Sequence, residues 1–510
     1  MAVQRYRWPA QQEFRDRTME LNALEDWWAS TSRDPVNLYG RRRVGKSWLF
    51  RRFAHGKPAV ILVAERAVPG QQLTQMAGQL ADVLDVRPQL DTVADLFSVV
   101  YDLAARRKVL VVIDEFPYLL GTTTAEQLRT LTAIQAVMER KRDGSKLKLI
   151  LTGSTISQME DLQVEKNPLH GRLRPLPLWP MPFAPATLLL DRTDVLDQMT
   201  RYSIAGGMPR YLEAFATGEL PSTIARAVVD PRSQLFSEPR NLLHSELREP
   251  AVYFSILAEL AGKPQDVATV AAALRLAPKE LAVYLSTLES LRLVARTRPV
   301  AASPKSRTTQ WKCTDHFIRF WFRFVQKFQP ELESGADPVA HVKANVLPHL
   351  PDHTAPVFEE AVTTWMRHRY AGSTEVGAWW GGALNQLRVK QERFTEEIDT
   401  VVLSGKNVTA VAEAKWTNKP MSADVLTDLL DYKLPALAQA GLRIAGVEVV
   451  LASRSGFTDG LLGLAASTPN VHLVEAHELL AELVSGVPDG TSDGPSQSRR
   501  QHGRHRRQMP

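Results

Sequence analysis

The sequence predicts an α/β protein that begins with a parallel sheet covered by helices. Continuous apolar runs, typical of strands buried on both faces, alternate with segments of helical periodicity over residues 36–154. A glycine-containing loop separates the first run from the first helix, and a later run ends in two acidic residues. Such alternation favours parallel strands with right-handed crossovers. A helical region and a small α/β domain are expected to follow.

Size and composition indicate a soluble protein of several domains. The 510 residues exceed what one core normally holds, and 44% hydrophobic with 23% charged residues is ordinary for globular proteins. No apolar run is long enough to cross a bilayer, and the first residues lack the apolar core of a secretory signal. A single cysteine, Cys313, excludes an internal disulfide and a cysteine-built zinc site. We therefore expect a cytoplasmic protein without a membrane partner.

The basic character of the chain is concentrated in its tail. The net charge is +6, and residues 485–510 contribute half of it, with five arginines against two aspartates. This tail is rich in Ser, Gly, Pro, Gln, Arg and His, and its composition predicts disorder. Composition alone therefore does not identify a DNA-binding protein.

The first loop fits a phosphate-binding pattern: glycine, four residues, then Gly-Lys-Ser. Val36–Tyr39 is a strand candidate before it and 47–54 has helical spacing after it, which is the context that the motif requires. Glycines allow backbone amides to approach phosphates, lysine adds charge, and the serine hydroxyl serves Mg²⁺. The predicted nucleotide-binding residues are Gly40, Arg41, Arg42, Arg43, Val44, Gly45, Lys46 and Ser47, with Ser47 also a metal ligand.

The apolar run 108–113 ends in Asp114 and Glu115. In isolation this pair is more often a solvated turn. With a phosphate loop upstream, Asp114 is expected to hold Mg²⁺ and Glu115 to act as the general base toward the attacking water.

Two further positions are expected to approach the phosphates. The strand at 146–151 is followed by Thr152 and Ser154, and either hydroxyl is a candidate to orient water or sense the terminal phosphate. The loop 169–174 presents Arg172 and Arg174, and one of them is expected to act as an arginine finger, within one chain or from a neighbouring copy. Arg172 is the one assigned to the nucleotide site. The alternative for Arg172 is a surface ion pair. The proline-rich segment 175–185 is expected to interrupt the strand–helix pattern.

Past residue 246 the pattern changes to three amphipathic helices, at 250–260, 266–274 and 277–291, followed by a strand at 293–296. This order suggests a winged helix-turn-helix unit. Its third helix carries one lysine and two glutamates over 279–289, so a structural or lid role is favoured over DNA binding. The aromatic segment 311–324 is expected to form a buried joining helix.

A second candidate site lies in the last folded part of the chain. Asp399 falls on one strand of a predicted hairpin, and Glu413 and Lys415 share a face of the other. Two carboxylates and a lysine are the groups that metal-dependent phosphodiester cleavage uses. Glu360 or Glu359 on the preceding helix would complete the metal shell, with Glu360 the assigned ligand. Ordinary charges at a strand edge are the alternative.

These motifs together resemble the archaeal-type AAA-like ATPases, P-loop proteins related to the STAND signalling NTPases, over about residues 14–480. The second half resembles that family's C-terminal domain, which is similar to PD-(D/E)xK nucleases of the restriction-endonuclease-like fold. Ile398 stands where that fold usually has its namesake proline. The resemblance implies ATP binding and hydrolysis. The residues on which this resemblance depends are Arg17, Gly40–Ser47, Ile113–Pro117, Leu151–Ser154, Gly206–Tyr211 and the pair Phe320–Trp321.

The expected organisation runs from an ATPase domain to a tail. Its parts are a P-loop ATPase domain at 14–200, a helical lid at 201–245, a winged helix at 246–300, aromatic joining helices at 301–346, a nuclease-like domain at 347–484 and the tail at 485–510.

The favoured function is a Mg²⁺-dependent ATPase whose nucleotide state controls the nuclease-like domain. The alternatives are a slow nucleotide switch with a non-catalytic DNA- or protein-binding C-terminal domain, and a DNA-binding regulator that acts through the winged helix. ATP and Mg²⁺ are the expected cofactors, and DNA and a second copy of the chain are candidate partners.

Overall fold

The computed structural model describes residues 6–7, 15–84, 86–191, 194–247, 249–303, 308–382 and 395–486. The tail for which disorder was predicted lies outside the described residues, apart from its first two positions. None of the described helices has the length and apolar character needed to cross a membrane.

The first half of the chain is built on a five-stranded parallel sheet with the strand order β2-β3-β4-β1-β5. The central strands are almost wholly buried because helices cover both faces. The α/β class predicted from the sequence is confirmed. The strands are β1 Val36–Tyr39, β2 Ala59–Val63, β3 Val109–Asp114, β4 Leu147–Gly153 and β5 Arg174–Pro177.

The proline-rich segment was expected to interrupt the alternation of strands and helices, but its first residues form strand β5. Its residues pair in parallel with β1, with Val36 opposite Arg174 and Tyr39 opposite Pro177. Proline cannot donate to a neighbouring strand, so a strand with Pro175 and Pro177 is tolerated only at a sheet edge. β5 occupies such an edge.

The helices of this half follow the predicted alternation. Helix α1, which precedes the first strand, begins at Thr18, because Asp16 and Arg17 have φ angles of 63° and 68° that cannot continue a right-handed helix. The helices are α1 Thr18–Ala29, α2 Lys46–Ala54, α3 Pro69–Leu84, α4 Val93–Leu103, α5 Thr124–Lys141 and α6 Ile156–Asp161, with a short turn at Phe116–Leu119.

A helical region follows, and it contains a two-stranded antiparallel hairpin of β6 and β7. Three helices, α12 to α14, precede the hairpin in the order predicted for a winged helix, which stays a prediction. Strand β7 lies beyond residue 300, where that unit was expected to end. The elements are α7 Phe183–Ala186, α8 Val195–Ala205, α9 Pro209–Ala214, α10 Leu220–Ile224, α11 Glu238–Glu246, α12 Pro250–Gly262, α13 Val267–Leu274, α14 Pro278–Ser290, β6 Val294–Thr297 and β7 Gln310–Cys313, with helical turns at Thr187–Leu189 and Ala225–Val229.

The aromatic segment divides between a strand and a helix. Trp311 lies on β7, whereas Phe317, Phe320 and Trp321 are buried on α15, His316–Phe324. The expected helix is therefore shorter, and its burial agrees with the expectation. Short helical segments then lead to α18: Gln326–Phe328, α16 Gln329–Glu333, α17 Pro338–His341, Val342–Val346 and Leu347–His349.

The last part holds a mixed sheet in the order β12-β11-β10-β9-β8, crossed by the long helix α18. Strands β8, β9 and β10 are antiparallel neighbours, and β10, β11 and β12 are parallel. The elements are α18 Leu350–Arg369, β8 Glu375–Gly382, β9 Thr395–Ser404, β10 Asn407–Lys415, α19 Ala423–Asp428, a turn at Leu429–Lys433, α20 Leu434–Gln439, β11 Glu448–Ser453, α21 Asp459–Ser467, β12 Val471–Glu475 and α22 Ala476–Ser485.

Candidate functional site

The phosphate-loop segment joins the end of β1 to the start of α2. Each of its two glycines is required for a different structural reason. A Cβ atom on Gly40 would lie 2.2 Å from the carbonyl oxygen of Leu178, so no side chain fits there. Gly45 has a φ angle of +101°, which L residues rarely adopt. The loop therefore has the backbone geometry that the motif requires, immediately before a helix.

Lys46 is buried at the start of α2 and turns back over its own loop. Its Nζ donates to the carbonyl oxygens of Gly40 at 2.6 Å and Arg41 at 3.1 Å. Burial lowers the pKa of this ammonium, and the carboxylates of Glu115 and Asp114 oppose that shift. The positive charge of the loop thus lies close to the two acidic residues that follow β3.

Ser47 and Asp114 meet at the carboxyl edge of the sheet. The Ser47 hydroxyl donates to Oδ2 of Asp114 at 3.5 Å, at the long limit of a hydrogen bond. Burial raises the pKa of Asp114, and the neighbouring Glu115 raises it further. The two predicted metal ligands of this site therefore lie side by side although 67 residues separate them.

Glu115 is held in a fixed position by the tip of β4. Its Oε2 accepts hydrogen bonds from the backbone N–H of Ser154 at 3.1 Å and from the Ser154 hydroxyl at 2.9 Å. Its φ angle of 54° directs the chain sharply away from β3. The sequence did not decide which of two hydroxyls, that of Thr152 or that of Ser154, acts at this site. In the structure Ser154 contacts Glu115, whereas Thr152 Oγ1 is buried with no hydrogen-bond partner among the described residues.

A cavity of about 880 Å³ opens over the loop. This volume lies within the range of about 300–1,000 Å³ that is typical of small-molecule sites. Lys46, Ser47 and Glu115 line its polar side. Its apolar side is formed by residues from the loop and from the helical region: Val44, Met181, Leu189, Pro209 and Leu242.

Arg172, the predicted arginine finger, does not line this cavity. Its guanidinium pairs with Glu139 at 2.5 Å and donates to the carbonyl oxygen of His170. This arrangement is the surface ion pair that was the alternative for Arg172. Arg172 lies between α6 and β5, and its partner Glu139 lies on α5.

The loop arginines make contacts that sequence analysis missed. Arg41 forms an ion pair with Asp315 at 2.6 Å, and their side chains are 2% and 7% exposed. Asp315 also caps α15 by accepting the backbone N–H of Ile318. The loop is thereby bound to a helix start 274 residues further along the chain.

A second ion pair joins the loop to α11. Arg43 pairs with Glu238 at 2.6 Å, and Glu238 accepts the Tyr211 hydroxyl at 2.8 Å. The only sequence signals were the three successive arginines and the Gly206–Tyr211 segment, and neither indicates its partner. Sequence reasoning therefore placed Arg41 and Arg43 on phosphates without identifying the carboxylates that hold them.

The C-terminal carboxylates gather at one end of β9 and β10. Glu413 is 1% exposed, and its two oxygens contact Lys433 at 2.6 Å and Lys415 at 3.5 Å. Asp399 accepts the backbone N–H of Ala414 at 2.8 Å. Burial, reinforced by Asp399, raises the pKa of Glu413 to about 7. Lys433 had not been identified from the sequence.

Helix α18 contributes Glu359, not the assigned Glu360. Burial, with the charge of Asp399 next, raises the pKa of Glu359 to about 8, which locates this carboxyl beside the cluster. Glu360 instead pairs with Lys312 at 2.6 Å. The assignment of Glu360 as a ligand is corrected here, because successive helix residues point about 100° apart. Within the described residues, no three His, Cys, Asp or Glu side chains converge in an arrangement that could hold a metal ion.

Comparison with known proteins matches two segments of the chain. Residues 14–215 match a family model described as an ATPase domain predominantly from Archaea. Residues 321–426 match a model of archaeal and bacterial proteins of unknown function. The first match is therefore to a family of ATPase domains, and the second match assigns no activity.

Individual relatives are distant. An uncharacterized protein of Methanocaldococcus jannaschii is 26% identical over 414 residues, which is 79% of this chain and 87% of the relative. The Walker-type ATPase of Pyrococcus abyssi is similar with a TM-score of 0.45 and 17% identity, over 62% of this chain and 98% of that one. The Orc2 protein of Aeropyrum pernix, solved in ADPNP and ADP complexes, has a TM-score of 0.37 and 16% identity, over 64% of this chain and 98% of that one.

Proposed function

We propose that this chain binds ATP with Mg²⁺ in the cavity over the phosphate loop, hydrolyses it, and uses the nucleotide state to control its C-terminal domain. One observation carries the proposal. Ser47, Asp114, Glu115 and Ser154 come from three different segments and form a continuous polar line beside Lys46. The family match to an ATPase domain over residues 14–215 supports the same conclusion.

The donor set suits a hard cation. The Ser47 hydroxyl and the Asp114 carboxylate are oxygen ligands of the kind that Mg²⁺ prefers. Mg²⁺, when bound, would neutralise charge on the phosphates. Ser47 and Asp114 would hold it, and their proximity needs no large rearrangement of the backbone.

The protein's own groups supply positioning and proton transfer. Lys46 is a short movement away from exchanging its two carbonyl partners for phosphate oxygens, which are stronger acceptors. Glu115 accepts a proton from the attacking water at its carboxylate. Ser154 holds that carboxylate by two hydrogen bonds and so fixes the direction from which water is activated.

Calorimetric titration and phosphate release by the full chain test this proposal. Wild type should bind ATP in the presence of Mg²⁺ and release phosphate over many turnovers. Lys46→Ala should weaken ATP binding by about a hundredfold and reduce turnover to background, because a charge-assisted contact to phosphate is lost. A wild-type chain that binds no ATP would end the proposal.

Control of the C-terminal domain is supported by a series of contacts. Lys312 lies on the hairpin strand β7. Asp315, the partner of Arg41, follows it three residues later, beyond the end of that strand. Lys312 pairs with Glu360 of α18, and the next residue on that helix, Glu359, faces the C-terminal cluster. A movement of the phosphate loop thus has a mechanical route to those carboxylates.

The output of that control is proposed to be Mg²⁺-dependent cutting of DNA at Asp399, Glu413 and Lys415. Cleavage of a labelled duplex should then depend on nucleotide and disappear with Asp399→Asn, while ATP turnover persists. Cleavage that is equal with and without ATP would contradict regulation by the nucleotide. Absence of cleavage would contradict nuclease activity of the C-terminal domain.

The second candidate is a nucleotide switch whose C-terminal domain binds DNA or protein without cutting. The pairing of Glu413 with both Lys415 and Lys433 favours it, because a carboxylate already neutralised by two ammonium groups gains less from a metal. DNA affinity without cleavage, changing when ATP replaces ADP, would distinguish this candidate.

A further inference from the structure

The edge of the parallel sheet opposite the phosphate loop carries a concentration of basic side chains. Because its five strands run in the same direction, the segments that precede them meet at this edge. We call it the amino edge and define it by residues 33–34, 57, 106–108, 142–146 and 172–174. Nine arginines and lysines stand there against two aspartates, a formal charge of +7, whereas the whole chain carries only +6. The nine are Arg33, Lys57, Arg106, Arg107, Lys108, Arg142, Lys146, Arg172 and Arg174.

The carboxylates near the amino edge neutralise only part of this charge. Four of the nine cations form ion pairs: Arg33 with Asp143, Arg142 with Asp34, Lys57 with Glu25 and Arg172 with Glu139. Four others form no ion pair within the part of the chain that the structure describes, namely Arg106, Lys108, Lys146 and Arg174. Arg106, Lys146 and Arg174 are also exposed. Both aspartates of the edge are therefore already paired, and a positive surplus remains at the surface.

Lys148, the second residue of β4, shows that these cations lie close to one another. Its side chain is buried, and its Nζ donates to the carbonyl oxygens of Trp27 at 2.5 Å and Ser32 at 2.7 Å. Burial, with the positive charges of Lys108 and Arg174 next, lowers the pKa of Lys148 to about 8. Like charges held this close raise the free energy of the folded chain, and a polyanion bound over them lowers it.

The extent and the surroundings of the amino edge fit the backbone of a nucleic acid. Neighbouring strands lie about 4.8 Å apart, so five strands span about 19 Å. Duplex DNA presents about eleven phosphate charges over that length, one per about 1.7 Å. The large hydrophobic side chains that are exposed on the described surface all lie outside the amino edge, so a bilayer would find no apolar anchor there. The third helix of the candidate winged helix, with one lysine and two glutamates over 279–289, is a weaker surface for phosphates.

We propose that the amino edge binds the phosphate backbone of duplex DNA without regard to sequence. Arginine and lysine side chains supply charged donors to phosphate oxygens, and such binding requires no contact with the bases. The duplex would lie at the edge of the sheet opposite the phosphate loop, so ATP and DNA could occupy one domain together. The inference gives the DNA cleavage proposed above a substrate contact outside the C-terminal domain, and it does not depend on ATP hydrolysis.

Fluorescence anisotropy of a labelled duplex of mixed sequence, titrated with the full chain at several salt concentrations, tests the inference. Wild type should bind with an affinity that falls steeply as the salt concentration rises. Arg106→Gln combined with Lys146→Gln should weaken binding by about tenfold, because two exposed charges are lost. The same double variant should lower the steepness of the salt dependence by about two, one for each phosphate contact, whatever the sequence of the duplex.

The matched control is Arg226→Gln combined with Lys263→Gln, which removes the same charge from two exposed residues of the helical region. It should leave the affinity and its salt dependence close to those of wild type. A further variant of the full chain replaces the five arginines of the tail with glutamine and should retain most of the affinity. Thermal unfolding should show that every variant is folded.

Equal losses in the Arg106/Lys146 variant and the control variant would overturn the inference. Duplex binding that disappears only when the tail arginines are replaced would overturn it too, since the tail would then be the DNA contact. A wild-type chain that binds vesicles of phosphatidylserine and phosphatidylcholine but no duplex would overturn it in favour of a membrane. Calorimetric titration of the same preparations with ATP and Mg²⁺ decides the proposed nucleotide binding separately in each case.

Discussion

Two clusters of carboxylates and lysines lie at strand ends in this molecule, and they differ in what surrounds the acids. In the loop cavity, Glu115 is held by neutral donors from Ser154, and Lys46 is held by carbonyl oxygens. In the C-terminal cluster, Glu413 is held directly by Lys415 and Lys433. The first arrangement keeps its charges available for a ligand, whereas the second largely compensates them internally. The same residue types therefore do not imply the same capacity to bind an anion and its metal.

The largest expected effect tests the acid in the cavity. Glu115→Gln should lower ATP turnover by about a hundredfold to ten-thousandfold, because the amide retains contact with Ser154 but accepts no proton. ATP affinity should remain near that of wild type. Phosphate release and calorimetry measure the two quantities, and the exposed Glu165→Gln serves as the control. If turnover survives in Glu115→Gln, the general base is another group. The claim that the loop cavity keeps Glu115 available for a ligand's chemistry is then wrong.

The next effect tests whether the C-terminal lysines are structural. Lys433→Met should lower the free energy of unfolding by about 3 kcal/mol, because it removes the closest counter-ion of a buried carboxylate. Lys46→Met should cost only about 1 kcal/mol, since Lys46 donates to carbonyl oxygens and not to an acid. Urea denaturation measures both. Adding Glu413→Gln to Lys433→Met should recover most of the loss, and equal costs at the two lysines would erase the distinction between the sites.

The smallest effect concerns pH. Glu359 has its pKa raised from 4.5 to about 8, so the folded chain retains a proton that the unfolded chain releases. Its contribution to stability is complete below pH 4.5 and is lost as the pH rises to about 8. Glu359→Gln should therefore raise the free energy of unfolding at pH 8 by about 2 kcal/mol and flatten its decline between pH 5 and 8. Parallel pH profiles for wild type and variant would show that Glu359 ionises freely.

Much of the ATPase fold was predictable because its signals are local. Apolar runs located β2, β3 and β4, and the Gly-Lys-Ser motif between a strand and a helix located the loop. The position of Asp114 and Glu115 near the loop was predictable because the carboxyl ends of parallel strands meet at one edge of the sheet. Strand β5 was missed because two prolines obscure a strand that tolerates them only at an edge.

The contacts between distant segments were not predictable from one sequence. Arg41 and Asp315 are each unremarkable locally, and only the folded chain brings them together. The choice between Glu359 and Glu360 depended on the rotation of α18 about its axis, which its apolar pattern does not fix closely enough. Lys433 is the last residue of a helical turn, and the sequence carries no signal that its side chain reaches Glu413 on β10.

The buried pair of Arg41 and Asp315 bears on how this protein can be divided for experiment. A truncation after residue 215, where the family match ends, would remove Asp315, the counter-charge of the buried Arg41 guanidinium. Losing one member of such a pair typically costs about 3–5 kcal/mol, a large part of the stability of a domain. A piece for experiment that keeps this pair therefore extends at least through α15, beyond the end of the segment that the family model matches.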